Sequence, residues 1–75
     1  MNKERRDRIA EAKEKLEEAQ GILEECKEEE ADYLDNIPEN MQGGEKAEIA
    51  QAAIDSMESA YDSIGEAISE LEEIE

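Results

Sequence analysis

The chain has no histidine, tryptophan or phenylalanine, and it has one cysteine and one proline in 75 residues. Without histidine, the usual general acid/base and activator of nucleophiles is missing. With one cysteine and no histidine, a tetrahedral zinc site cannot be built from one chain. These absences remove most catalytic and metal-binding classes. We therefore expect a protein that is not an enzyme, holds no cofactor or metal, and acts by binding.

Long apolar runs are also missing, and no window approaches the roughly 20 apolar residues that span a bilayer. The first residues are charged, whereas a signal peptide has an apolar stretch there. A lone cysteine cannot form an intrachain disulfide, which fits a reducing compartment. We expect a cytoplasmic protein without membrane contact.

Acidic residues dominate the charge, with 24 acids against 8 bases and a formal net charge of −16. Residues 1–15 hold six bases and four acids, a net of +2, so the other 60 residues hold −18. Residues 47–75 contain nine acids and no base. Such a surface repels nucleic acid and anionic lipid and attracts basic proteins. The expected partner is therefore a basic protein, with no direct nucleic-acid contact.

Apolar residues in the first half recur in steps of three and four, the heptad pattern of a helix packed along one face. The packed row, called the seam below, is predicted to contain Ile9, Ala12, Leu16, Ala19, Leu23 and Cys26. Glu30 is the next seam position, and the apolar pattern resumes at Tyr33, Leu34 and Ile37. Pro38 ends the helix, because a residue before proline is steered away from helical angles. We predict a first helix over about 3–35 and a turn over 36–44.

A second seam follows with the same spacing: Ala47, Ala50, Ile54, Met57, Tyr61, Ile64, Ile68 and Leu71. Beside it, Ala53, Ala60 and Ala67 recur every seven residues and widen the apolar face. The short turn predicts antiparallel neighbours. The fold class is therefore all-α, an antiparallel two-helix coiled-coil hairpin with a second helix over about 45–74. Because a wide apolar face is typical of bundles, we expect a homodimer that forms a four-helix bundle.

Several single residues have specific interpretations at this point. Cys26, Tyr33 and Tyr61 are interpreted as core residues because they lie on the predicted seams. Gly21 either weakens the first helix or permits close helix approach. The turn contains Ile37 and Met41, which are interpreted as a packed cap in preference to a recognition tip.

Acidic residues form one row on each helix, opposite the predicted seams. The alternative is a solvated face that serves solubility. Like charges at i, i+4 destabilise a helix. A row of acids without bases therefore favours the interpretation that their negative electric field serves a function. Two such rows coarsely imitate the two phosphate strands of a duplex. The helix 1 row contains Asp7, Glu11, Glu14, Glu18, Glu25, Glu28, Asp32 and Asp35, and the helix 2 row begins at Glu48. The predicted partner-binding residues are Asp55, Glu58, Asp62, Glu66, Glu70, Glu73, Glu25, Glu28, Asp32, Asp35 and Met41.

The order of segments in this chain resembles the order found in short acidic helical-hairpin proteins of phages and prophages. The resemblance covers nearly the whole chain: MNKERR at 1–6, an acidic helix, YLDNIPENMQGG at 33–44, and Ala-Ile-Asp-Ser repeats. Its most specific part is Asp35-Asn36-x-Pro38-Glu39-Asn40-x-Gln42. Many small acidic phage proteins inhibit host nucleic-acid enzymes, including CRISPR nucleases. The resemblance thus implies an anti-CRISPR-like inhibitor in the bacterial host cytoplasm, without implying particular binding residues.

Two functions from different classes follow. The leading hypothesis is an inhibitor that binds a basic nucleic-acid channel of a host protein, such as a CRISPR effector nuclease, in the manner of a DNA mimic. The alternative is a structural or assembly module that dimerises or completes a partner helical bundle through its seams. A designed hairpin is a weaker third option, because the sign imbalance and the seam positions of Cys26 and Glu30 argue against deliberate design.

Overall fold

The computed structural model describes residues 2–74, which form a rod with extents of 60 × 14 × 13 Å. Helix α1 runs over Lys3–Asp35 and helix α2 over Glu45–Glu72, with a short 3₁₀ turn at Glu39–Met41 between them. The two helices pack against each other in opposite directions, which confirms the predicted all-α antiparallel hairpin. Neither helix within residues 2–74 combines the length and apolar content that crossing a bilayer requires.

Local signals set both ends of α1. At its start, Oδ1 of Asn2 accepts a hydrogen bond of 2.8 Å from the backbone N–H of Arg5, as an N-cap residue does. At its end, the N–H groups of Asn36 and Ile37 donate to carbonyls of the last turn, at 3.1 Å to Asp32 and 3.2 Å to Leu34. The chain then turns away from the helix before Pro38.

The turn closes one end of the core. Ile37 is buried, with 9% of its surface exposed, and Nε2 of Gln42 donates to the Ile37 carbonyl at 3.1 Å. The N–H of Met41 donates to the Pro38 carbonyl at 2.8 Å, yet 52% of Met41 is exposed. Ile37 therefore acts as the packed cap that its apolar character predicted, while Met41 projects into solvent.

The α2 seam follows the predicted row closely. Ala47, Ala50 and Ile54 are buried, and Tyr61 lies more open at 37% exposure. The rest of the row is half-buried: Met57, Ile64, Ile68 and Leu71. Together with Ile37, the three buried residues form the core of the described chain, and all lie toward the turn end.

The α1 seam differs from its prediction at two positions, whereas Ala19, the third small residue of the predicted row, is half-buried. Ala12 and Cys26 are exposed, so their assignment to the core was wrong. The half-buried row contains Ile9, Lys13, Leu16, Gln20, Leu23, Lys27, Glu30 and Leu34. The physical reason is side-chain length. The aliphatic stems of Lys13 and Lys27 cover apolar surface that an alanine cannot reach, while their ammonium groups extend to carboxylates of α2.

A polar contact lies midway along the seam. Nε2 of Gln20 donates to the Tyr61 carbonyl at 3.2 Å, and a Cβ placed on Gly65 would lie 3.3 Å from the same Nε2. A Cβ placed on Gly21 would meet nothing within 4 Å. The interpretation that Gly21 permits close helix approach was therefore wrong. Gly65, by contrast, leaves room for the Gln20 side chain. The core assignment of Tyr33 was also wrong, since Tyr33 is 47% exposed.

Candidate functional site

Three polar contacts between the helices lie on one side of the seam. Nζ of Lys13 lies 3.1 Å from Glu72, Gln20 donates to the Tyr61 carbonyl, and Nζ of Lys27 lies 3.9 Å from Glu58. Burial repeats every seven residues along both helices. Residues seven apart therefore lie on the same side of the rod. We call this side the acidic flank, and its carboxylates are Asp7, Glu14, Glu17, Glu24, Glu28, Asp35, Glu48, Asp55, Glu58, Asp62 and Glu72.

The predicted binding residues fall on and around the acidic flank, and all of them are exposed. The set on the flank itself is Asp55, Glu58, Asp62, Glu28 and Asp35. A second set covers the adjoining outer surfaces of the helices: Glu66, Glu70, Glu73, Glu25 and Asp32. Met41 stands apart in the turn. The acidic rows therefore begin beside the seam and extend to the outer surfaces, whereas the sequence predicted them wholly opposite the seam.

Few of these carboxylates are neutralised by neighbours. Of the ten predicted carboxylates, Glu58 is the one with a lysine or arginine nitrogen within 4 Å among residues 2–74. Asp55 accepts a hydrogen bond from Nε2 of Gln51 at 3.0 Å, which leaves its charge in place. Among the other bases, Lys3 and Lys15 pair with acids of α1, and Lys13 pairs with Glu72 of α2. Apart from Glu58 and Glu72, the carboxylates of α2 therefore have no lysine or arginine nitrogen within 4 Å among residues 2–74, and their negative field is largely uncompensated.

The density of charge along the rod can be compared with that of a nucleic acid. A net charge of −16 over a length of 60 Å corresponds to one negative charge per about 3.8 Å. A single strand of B-DNA has one phosphate per about 3.4 Å of helix axis. One hairpin therefore has close to the linear charge density of one phosphate strand.

Two shallow grooves meet at Tyr61 on the acidic flank. Residues lining the first are Gln20, Tyr61, Asp62, Gly65, Glu66, Ser69 and Glu70, and those lining the second are Glu24, Lys27, Glu58, Tyr61 and Asp62. Carboxylates around a partly exposed aromatic ring suit a guanidinium or ammonium group, which forms charge-assisted hydrogen bonds and cation–π contacts. Sequence reasoning missed Tyr61 as a site residue because it assigned this residue to the core. The signal was its position between Glu58 and Asp62.

Within the described part of the chain, no three histidine, cysteine, aspartate or glutamate side chains converge as a metal site requires. No protein-family model matches the chain, and no curated protein or solved structure matches it. The acidic flank is therefore interpreted from its own residues.

Proposed function

We propose that this chain is a non-enzymatic, phage-encoded inhibitor that acts as a DNA mimic. The acidic flank and the adjoining outer surface of α2 bind a basic nucleic-acid-binding surface of a host defence or nucleic-acid-processing protein, such as a CRISPR effector nuclease. Binding blocks access of the nucleic acid. The observation that supports this proposal most is the set of exposed carboxylates, most of them unpaired, on a chain whose net charge gives nearly the linear charge density of a phosphate strand.

The proposed mechanism is electrostatic and needs no covalent step. Arginine and lysine side chains that hold phosphates bind carboxylates with the same charge-assisted hydrogen bonds, and arginine does so bidentately. The long-range field steers the rod toward a basic channel before contact. Because this attraction is screened over about 10 Å at 0.1 M salt, affinity falls as salt rises.

A competition experiment tests the mimicry. The chain is immobilised, nuclease-treated bacterial lysate is passed over it, and bound proteins are eluted with duplex DNA or with rising salt. We expect duplex DNA to displace the captured proteins, because both ligands use the same basic surface. If saturating duplex DNA leaves the captured proteins in place, the mimicry is wrong.

Charge reversal with a matched control tests the surface. The variant Asp62→Lys, Glu66→Lys, Glu70→Lys changes the net charge by +6, and we expect it to abolish capture. The control with the same charge change reverses Glu4, Glu11 and Glu18, which are exposed on the outer surface of α1 away from the acidic flank, and should keep most of the binding. Equal losses in both variants would mean that net charge alone matters, and unchanged binding in the first would reject the acidic surface.

We also propose that the chain acts as a homodimer. Its accessible surface is 5788 Å², whereas a compact monomer of 8.4 kDa exposes about 4,600 Å² by the usual size scaling. The hairpin thus exposes about 1,200 Å² more than a compact chain of its mass, and assembly would cover part of that excess.

The same excess surface favours a second candidate function, a structural or assembly module. In that case the chain completes a helical bundle with a copy of itself or with a partner, and the acids serve solubility alone. Leu23→Asp or Ile64→Asp would then remove the function, while the Asp62, Glu66 and Glu70 variant would be silent. The charge-reversal variant therefore separates the two functions, since it abolishes the first and leaves the second unchanged, whereas the seam variants disrupt the hairpin in either case.

A further inference from the structure

The side of the hairpin opposite the acidic flank is rich in apolar residues, and no other part of residues 2–74 packs over it. Three of its large apolar residues are open to solvent: Ile22 at 60%, Ile49 at 61% and Tyr33 at 47%. Tyr33 and Ile49 line one groove, so residues of the two helices meet on this side. We call this side the apolar flank, and its residues are Ala12, Ala19, Ile22, Cys26, Tyr33, Ile49, Ala53, Ala60 and Ala67.

The charges around the apolar flank differ from those of the rest of the molecule. The heptad positions on this side hold four bases and one acid, a net of +3 in a chain of net −16: Arg5, Arg8, Lys15 and Lys46 against Glu29, because the side chain of Glu70 lines the groove at Tyr61 instead. Another strongly acidic rod can therefore approach here with the least repulsion, while a basic partner gains more on the acidic flank. A second copy that packs here brings only the same few charges to the contact and keeps the two acidic flanks apart.

The dimensions also fit a second copy. One long side of a rod with extents of 60 and 13 Å measures about 800 Å², close to what each partner contributes to a stable interface of ordinary size. The excess of about 1,200 Å² over a compact monomer of this mass is large enough to include that side.

We infer that two chains pack through their apolar flanks, with α1 against α1 of the second copy in the opposite direction and the two-fold axis beside Ala19. This inference rests on the proposed homodimer and adds its face and register. Ala19 is the midpoint of Lys3–Asp35 and is small enough for close approach. The opposite direction places Arg8 of one copy near Glu29 of the other, and Arg5 near Tyr33. Parallel packing would instead bring the base-rich ends together.

This arrangement leaves both acidic flanks on the outside, on opposite sides of a four-helix bundle. Twice −16 gives −32 over the same length of 60 Å, or one charge per about 1.9 Å. Double-stranded DNA has one charge per about 1.7 Å. A single hairpin therefore approaches the charge density of one strand, and the inferred dimer approaches that of the duplex.

Sedimentation equilibrium of the unmodified chain tests the dimer itself. We expect a mass twice the 8.4 kDa of one chain at micromolar concentration and 0.15 M salt. A monomer under these conditions overturns both the homodimer and its interface. A dimer leaves the face and register to be tested separately.

Disulfide trapping tests the face and register. In a Cys26→Ala background, Ala19→Cys should form an interchain disulfide on mild oxidation and double the mass on a non-reducing gel. The matched control is Glu28→Cys in the same background. Glu28 lies on the acidic flank, so this variant should run at the mass of one chain on the same gel. Circular dichroism should confirm that each variant remains helical. If the chain is a dimer but Ala19→Cys fails to cross-link, or cross-links no better than the control, the inferred face is wrong.

A second variant checks the register at an exposed position. Ala12→Cys with native Cys26 retained should give a covalent dimer, because residue 12 of one copy faces residue 26 of the other. Within one chain these positions lie about 21 Å apart along α1, too far for a disulfide. The unmodified chain is the control, since its two Cys26 residues lie about as far apart across the axis and should not cross-link. Cross-linking of the unmodified chain as readily as the variant overturns the register.

Discussion

The two helices share one seam but contribute differently to it. Helix α2 presents an apolar row, and Ala47, Ala50 and Ile54 within it are buried. Helix α1 has no buried residue, and its row mixes leucines with longer polar side chains such as Lys27 and Gln20. The apolar side of the seam supplies most of the burial. The polar side supplies directed contacts that fix which residues of the two helices face each other, as polar residues at seam positions do in coiled coils.

Because the two helices are packed unequally, shortening a seam side chain should lower the free energy of unfolding by different amounts on α1 and α2. Ile54→Ala removes a side chain that is 8% exposed and should lower the free energy of unfolding by about 3 kcal/mol. Leu23→Ala removes a half-buried side chain and should cost about 1 to 2 kcal/mol, because part of its surface stays in water. Urea denaturation measures both, at one fixed protein concentration, since an oligomer gains stability with concentration. Equal costs would show that α1 is packed as tightly as α2.

The sequence predicted α2 better than α1 for a physical reason. In α2, residues such as Ile54 and Ile64 are both apolar and large, so the apolar pattern and the packed row coincide. In α1, the apolar pattern through Ala12 and Cys26 competes with a row whose side chains are longer. The row with Lys13 and Lys27 prevails, because burial depends on the reach of a side chain as well as its polarity.

Two residues at the junction of α1 and the turn already pointed to the correct row. Leu34 and Ile37 lie in register with the observed α1 seam, and stepping back from Leu34 by sevens gives Lys27, Gln20 and Lys13. For the candidate site, heptad spacing predicts which acids share a side. The ion pairs and the grooves at Tyr61 depend on side-chain conformations that spacing does not determine.

Glu30 provides a second test of how the two helices differ along the seam. It lies half-buried on the α1 seam, and no lysine or arginine nitrogen lies within 4 Å of it in the described range. Glu30→Leu removes the cost of desolvating a carboxylate and adds apolar burial, so it should raise the free energy of unfolding by about 1 to 2 kcal/mol.

The control for that variant is Glu25→Leu, because Glu25 is exposed on the outer surface of the same helix. It removes the same charge without adding burial and should change stability by less than about 0.5 kcal/mol. Thermal and urea unfolding at matched concentration measure both variants. A gain of the same size at both positions would mean that charge reduction, and not seam packing, stabilises the hairpin.

The smallest expected effect is the difference in stability between alanine substitutions at the two helical glycines, Gly21 and Gly65. Gly21→Ala places a methyl group in open space and should stabilise α1 by about 1 kcal/mol, because alanine has the higher helix propensity. Gly65→Ala gains the same propensity, but its methyl group lies 3.3 Å from Nε2 of Gln20 and displaces the contact with the Tyr61 carbonyl. We therefore expect little or no gain from Gly65→Ala in the natural sequence.

A double-mutant cycle with Gln20→Ala separates propensity from contact. Without the Gln20 side chain, Gly65→Ala has room and should recover a gain of about 1 kcal/mol, similar to that of Gly21→Ala. Gly21→Ala should give the same gain in both backgrounds, because a Cβ at this position meets no atom of α2 within 4 Å. If Gly65→Ala is already fully stabilising with Gln20 present, then Gly65 does not make room for Gln20. The polar side of the seam would then not fix the register by this contact.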